Sequence, residues 1–195
     1  MTTALDQTEI ALACAAQCMS EEDWIITADS VLATLKISVD ELTARLPQTT
    51  RKIAKMLAKC DPMSQSGTET AVRLRLRARG FHVEVQPPVD DVGHVDLKVG
   101  RLIIECDSKQ HHTSLANYRK DRRRDRKALS HALMTLRVTY DDVLYGWDET
   151  LDDICSITNA DRHRPPRKGR QTSPSAEAGG NTPRTSMSGT ITTPG

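Results

Sequence analysis

Hydrophobic and polar positions follow two different rhythms along this chain. Over the first sixty residues the apolar positions recur at helical spacing: Trp24, Val31, Leu32 and Leu35, then Leu42 and Leu46. Start signals precede both runs. Ser20 with Asp23, and Ser38 with Glu41, have the capping-box form of a cap hydroxyl followed three residues later by an acid. Pro47 ends the second run, and "TRKIAKMLAKC" predicts another short helix. Residues 1–63 therefore predict a helical subdomain that carries no catalytic constellation. Its helices offer a surface to a protein partner or to a second copy of the chain.

A second unit follows. Ser66 and Glu69 form another capping box, Val72, Leu76 and Ala78 supply an apolar stripe, and Gly80 stops the helix. Next come a strand "FHVEV", a break at Pro87 and Pro88, and a hairpin over 94–107. A long helix from about Ser114 to Ala132, a strand "TLRVTY" and a closing helix over 148–159 complete the unit. Helix, three strands, helix, strand, helix over 64–159 is a mixed α/β layer fold. Residues 160–195 are Pro, Ser, Thr, Gly and Arg without periodicity, which predicts a disordered basic tail.

The hairpin "HVDLKVGRLIIECDSKQHH" mixes carboxylates into apolar runs. Gly100 suits the first central position of a type II′ turn, with Arg101 at the second. Counting outward pairs Val99 with Leu102, Lys98 with Ile103, Leu97 with Ile104 and Asp96 with Glu105. Alternation gives an apolar face of Val95, Leu97, Val99, Leu102, Ile104 and Cys106. The opposite face holds His94, Asp96, Lys98, Ile103, Glu105 and Asp107. Asp96 and Glu105 then oppose each other with Cβ atoms about 5 Å apart, a destabilising arrangement. A bridging hard cation such as Mg²⁺, which takes carboxylate and carbonyl oxygens, relieves it. So do salt bridges to Lys98 and nearby arginines on a solvated face. Asp107, Lys109 and His111 follow at the strand end, where a Lys or His can orient water or protonate a leaving oxygen. His112 reads as an ordinary polar loop residue.

Composition narrows this picture in three ways. No apolar run approaches the roughly 20 residues of a membrane span, and no signal peptide opens the chain, so a cytoplasmic protein without a membrane role is expected. The five cysteines lack paired spacing; Cys14 and Cys18, four apart, read as apolar filler on a helix. The net charge of +1 hides an asymmetry. Residues 1–66 hold six basic and nine acidic residues, 67–160 hold fifteen of each, and 161–195 hold six and two. Any nucleic-acid surface must therefore be local. Arg119, Arg122, Arg123 and Arg126 lie at i, i+3, i+4 and i+7 and form one such basic face, suited to DNA phosphates.

"VDLKVGRLIIECDSKQHH" resembles the Asp … Glu-x-Asp-Gly-x-x-His signature of the domain-of-unknown-function 559 proteins. Those are similar to very-short-patch-repair endonucleases, within the PD-(D/E)XK nuclease superfamily. The resemblance extends to "SGTETAVRLRLRARGF", to "YRKDRRRDRKAL" and to "LMTLRVTYDDVL", covering roughly residues 65–146. It implies a restriction-endonuclease-like core in which Asp96, Glu105 and Cys106 are the positions that bind Mg²⁺ or Mn²⁺. Asp107 and His111 would complete the catalytic site, and Glu69 would contribute from the first helix. Ser108 stands where the family has Gly. Glu105-Cys106-Asp107 replaces the superfamily's Glu-x-Lys, so the lysine role falls to Lys109 or is absent.

The N-terminal segment resembles the helical region that precedes this domain in actinobacterial relatives beginning with a winged-helix domain similar to abortive-infection antitoxins. This chain starts after that point, so it is expected to lack that DNA-reading module. Two functions follow from the resemblance: a Mg-dependent DNA endonuclease, or a catalytically inactive DNA-binding or antitoxin-like regulator that keeps the fold.

Overall fold

The computed structural model describes residues 7–107 and 115–159, with side chains in the second stretch from residue 122. Among these residues are eight helices and six strands in a mixed α/β arrangement.

The first four helices are α1 (Thr8–Ala15), α2 (Glu21–Leu35), α3 (Val39–Arg45) and α4 (Arg51–Leu57). Each of the last three starts where a hydroxyl caps it. Ser20 Oγ accepts from Asp23 N–H, Ser38 Oγ from Glu41 N–H, and Thr50 Oγ1 from Ile53 N–H. Only Ser38 closes the full capping box, with its own N–H donating to Glu41 at 2.8 Å. Trp24, Ile25, Leu32, Leu42, Ile53 and Met56 form their common core. Leu35 is exposed, because the buried stripe of α2 runs through Ile25, Ala28 and Leu32. Cys14 and Cys18 are also exposed, contrary to the filler reading. Helix α1 stops at Ala15, so Cys18 lies in the following turn and the four-residue spacing no longer stacks them.

Then come α5 (Gly67–Ala78), β1 (Glu84–Val85), β2 (Pro88–Val89), β3 (Gly93–His94), β4 (Leu97–Val99) and β5 (Leu102–Asp107). They are followed by α6 (Leu115–Ser130), β6 (Met134–Thr139), α7 (Tyr140–Leu144) and α8 (Trp147–Asn159). The main sheet has the order β1-β4-β5-β6, with β6 parallel to β5. The hairpin register is the one counted from the turn: Val99 faces Leu102, Lys98 faces Ile103 and Leu97 faces Ile104. Gly100 takes φ 60° and Arg101 stays at negative φ, as a type II′ turn requires.

Helices cover both faces of this sheet. On one, Val72 and Leu76 of α5 and Leu151 and Ile154 of α8 pack on Leu97, Val99, Leu102, Ile104 and Cys106. On the other, Ile103 is buried with Val92, Val95 and Ala128 of α6. Alternation puts Ile103 on the face opposite Leu102 and Ile104, as found, and α6 buries it there; alternation also puts Val95 with Leu97, which the structure does not. Asp96 is a bend rather than a strand residue, so alternation breaks there and Val95 turns toward α6.

The predicted strand "FHVEV" is confined to two residues. The Pro87-Pro88 break instead opens a second, two-stranded sheet in which Pro88 faces His94 and Val89 faces Gly93. Among the described residues, no helix is long and apolar enough to cross a membrane. The expected tail beyond residue 160 lies outside the described residues.

Candidate functional site

The carboxylates cluster because β4 leaves its partner at Asp96. The next ladder position on β5 would lack a main-chain acceptor for Cys106 N–H, and Asp96 Oδ2 takes that proton at 2.8 Å. This holds the Asp96 side chain back over the ladder, beside Glu105. Glu69 arrives from the first turn of α5. Its N–H donates to Ser66 Oγ at 3.1 Å, while its carboxylate accepts from Gln65 N–H at 3.0 Å. Cap and site positions therefore coincide.

Gln86 joins the two. Its Nε2 donates to Glu69 Oε2 at 3.0 Å and to Asp96 Oδ1 at 3.3 Å. Gln86 has φ 48°, in the left-handed region that costs a non-glycine residue roughly 1–3 kcal/mol. That conformation also lets its carbonyl meet His94 Nδ1 at 3.1 Å, while its N–H donates to Asp96 O at 2.9 Å. One strained residue thus ties α5, the β2–β3 hairpin and the Asp96 bend together.

The electrostatics follow from this packing. Burial first, and then the charge of Asp96, push Glu105 up to about 7, against the lowering effect of Arg124 and Arg137. Glu69 is also raised, by burial first and with Asp96 again contributing. Arg124 is the counter-charge: its Nη2 donates to Glu105 Oε1 at 3.0 Å and to His94 O at 2.6 Å, and its Nε to Val92 O at 3.2 Å. Lys98, considered as a partner for the opposed acids, pairs with Glu84 at 2.7 Å instead.

Of the expected site residues, Asp96, Glu105 and Glu69 are brought together. Asp107 lies beyond Glu105 on the same side of β5 and faces Arg137 at 3.5 Å, which also reaches Asp125. The Cys106 thiol packs into the opposite core, and burial raises its pKa, so this residue can offer a cation only its backbone carbonyl. Lys109 and His111 lie outside the described residues, as does the side chain of Arg119. Arg122, Arg123 and Arg126 are exposed on α6.

Sequence reasoning missed Gln86, Arg124 and Arg137. Arg124 was legible in principle. It sits one helical turn before the buried Ala128 and so must point inward. Gln86 gave no signal, since nothing in its neighbours announces a positive φ.

The donor chemistry fits a hard divalent ion. Asp96 and Glu105 are two adjacent carboxylates under mutual repulsion, and Mg²⁺ needs only one or two from the protein. Among the described residues no group of three or more His, Cys, Asp or Glu side chains is set to hold a metal.

Without metal, Glu105 should tax the fold as pH rises. Its proton is held to about 7 in the folded chain, against 4.5 ordinarily. The folded state therefore binds more protons between those values, and stability falls as pH climbs through that window. Glu105→Gln, which keeps a donor toward Asp96 and an acceptor toward Arg124, is expected to stabilise the EDTA-treated protein. The gain should be about 1–3 kcal/mol near pH 8 and close to nothing near pH 4. Urea midpoints at the two pH values measure it; an equal gain at both would refute the repulsion.

Compared with family models, with curated proteins and with solved structures, the chain matches none.

Proposed function

We propose that this protein is a metal-dependent endonuclease that hydrolyses DNA phosphodiester bonds, built on a restriction-endonuclease-like core. The observation that carries the reading is the convergence of Glu69, Asp96 and Glu105 beside one bend, with Glu105 driven to a pKa of about 7. Asp96 serves the fold as the acceptor for Cys106 N–H, but the added charge of Glu105 beside it is a cost that a bound cation would offset. The element order supports the same reading. Helix α5, strands β1, β4 and β5, helix α6 and strand β6 give helix, three strands, helix, strand, with the β2–β3 hairpin inserted.

Asp96, Glu105 and the Cys106 carbonyl are the residues that would hold Mg²⁺ or Mn²⁺. Such an ion supplies charge neutralisation on a phosphoryl oxygen and a more acidic water. The chain's own residues do the rest. Cys106 N–H and Gln86 fix both oxygens of Asp96, so that carboxylate is preorganised. Glu69, raised in pKa and held by Gln65 and Gln86, would hold a proton on the side of Asp96 that Gln86 bridges. The exposed Arg122, Arg123 and Arg126 offer backbone phosphates a cationic surface on α6, and Lys109 and His111 remain the candidates for assisting the leaving oxygen.

The test is relaxation or linearisation of supercoiled plasmid by the full chain with Mg²⁺, with Mn²⁺ and with EDTA. Cleavage with either ion and none with EDTA is the expected result; no cleavage under any condition would sink the enzyme reading. One observation favours a second reading, a silent DNA-binding regulator. The Arg124 guanidinium already neutralises Glu105 from within the fold. In that case binding survives in EDTA and divalent ions leave the melting temperature unchanged.

A further inference from the structure

We infer that the cleft between the β2–β3 turn and helix α6 seats a nucleic-acid backbone phosphate that flanks the carboxylate site; this deepens the nuclease reading and rests on it. The cleft has a volume of about 440 Å³ and is lined by Asp91, His94, Arg123, Arg124 and Lys127, together with Val92 and Gly93 of the turn. Three features argue for a phosphate there.

The first is an unspent cation. The Arg123 side chain is exposed and has no hydrogen-bond or ion-pair partner among the described residues. Lys127 reaches Asp91 only at 3.6 Å, and that carboxylate, 62% exposed, is shared with His131 at 3.5 Å. Arg123, Arg124 and Lys127 thus face one carboxylate in the cleft and one, Glu105, behind it, which leaves an excess of positive charge.

The second is a fixed wall. The hairpin is not a loose loop against α6: Val92 and Val95 bury themselves with Ile103 and Ala128. Arg124 then bonds the carbonyls of both Val92 and His94. Asp91 at φ 60° and Gly93 at φ 96° give the turn a backbone shape that few sequences adopt. Such a wall holds its cations at a set spacing rather than letting them drift in solvent.

The third is connection to the chemistry. The same Arg124 that forms the cleft wall touches Glu105 at 3.0 Å, so cleft and carboxylates are separated by a single guanidinium. A chain of phosphates crossing the carboxylates would naturally place its neighbour in the cleft. Guanidinium groups match phosphate oxygens in fork geometry, which a compact ammonium does not.

The experiment uses the full chain in EDTA and a short duplex DNA, with binding read by fluorescence anisotropy across a salt series. Arg123→Ala/Lys127→Ala is expected to weaken binding roughly ten-fold and to make the salt slope shallower by about one to two units. Arg51→Ala/Lys55→Ala removes the same charge from the exposed face of α4 and should change neither. Arg123→Ala alone deletes an exposed side chain without a partner among the described residues, so it keeps its melting temperature and still loses affinity. Equal losses in the cleft and α4 variants, or no loss in the cleft variant, would overturn the phosphate seat.

Inorganic phosphate, at the duplex's own phosphate concentration, should leave the bound duplex in place. Displacement by it would make the cleft a small-phosphate site and overturn the nucleic-acid assignment. Because binding is measured without metal, a protein that binds through the cleft but never nicks plasmid ends the nuclease reading and leaves the seat standing.

Discussion

Asp96→Asn should lower plasmid cleavage by several orders of magnitude while leaving duplex binding in EDTA equal to wild type or tighter. The physical argument has two halves. Asn keeps an oxygen for Cys106 N–H, so the bend that shapes the site survives. Gln86 keeps donating to Glu69 and gives up only its longer bond to residue 96. What disappears is one of the two charges that would hold the ion, and an ion-held phosphoryl oxygen commonly accounts for several kcal/mol of barrier lowering, about ten-fold in rate per 1.4 kcal/mol. Binding should not fall, because a negative charge near the phosphate has gone.

A matching effect is expected on stability. Mg²⁺ or Mn²⁺ should raise the wild-type melting temperature, and Asp96→Asn/Glu105→Gln should abolish that rise while stabilising the metal-free chain. A double variant that keeps the metal-induced shift would place the ion elsewhere. A single Asp96→Asn protein that cleaves within ten-fold of wild type would remove Asp96 from the chemistry.

Sequence and structure agree best where geometry is local. The hairpin register could be counted because one glycine at positive φ fixes a two-residue turn, and the pairs Val99–Leu102, Lys98–Ile103 and Leu97–Ile104 follow from it, whereas the counted Asp96–Glu105 pair is not part of the ladder. The caps at Ser20, Ser38 and Ser66 are equally local, a hydroxyl and an N–H three residues on. Alternation failed one residue beyond β4, since periodicity cannot see that Asp96 leaves the ladder to serve as its side-chain acceptor. The basic run on α6 showed its outward arginines readily. Arg124, the one that organises the site, looked like a member of the same crowd until the helix was rotated onto Ala128. Least legible was what the N-terminal helices do for the site. Asp29 on α2 and Arg73 on α5 are 44 residues apart, and no pattern links them.

Breaking that link should produce the largest loss of stability in the chain. The Arg73 and Asp29 side chains are 0% and 1% exposed and meet at 2.6 Å. Asp29 also accepts from Thr70 Oγ1 at 2.9 Å and from Asp61 N–H at 2.8 Å, while Arg73 donates to Lys59 O at 2.7 Å and leaves its Nε without a partner. Asp29→Ala strands the guanidinium in the interior with one carbonyl, a mechanism that costs about 3–5 kcal/mol. The pair itself is no bargain for the fold, though. Burial raises the pKa of Asp29 in spite of all three hydrogen bonds and the arginine's charge. Its ionised form is therefore taken out of water at a loss, and stability declines as pH rises above its ordinary value of 3.8.

Asp29→Leu/Arg73→Met should consequently recover most of the loss seen in Asp29→Ala, because apolar replacement of both partners is often neutral or better. Urea denaturation of wild type, both single variants and the double variant measures the coupling between the two sites. A cost below about 1 kcal/mol for Asp29→Ala would mean that water or a nearby acceptor reaches Arg73. The loss should also reach the site. Glu69, Thr70 and Arg73 lie within little more than one turn of α5, so the clamp that holds Arg73 to α2 also sets where Glu69 stands against Gln86 and Asp96. The double variant, folded but with the clamp replaced, is therefore expected to cleave more slowly than wild type while binding duplex equally well.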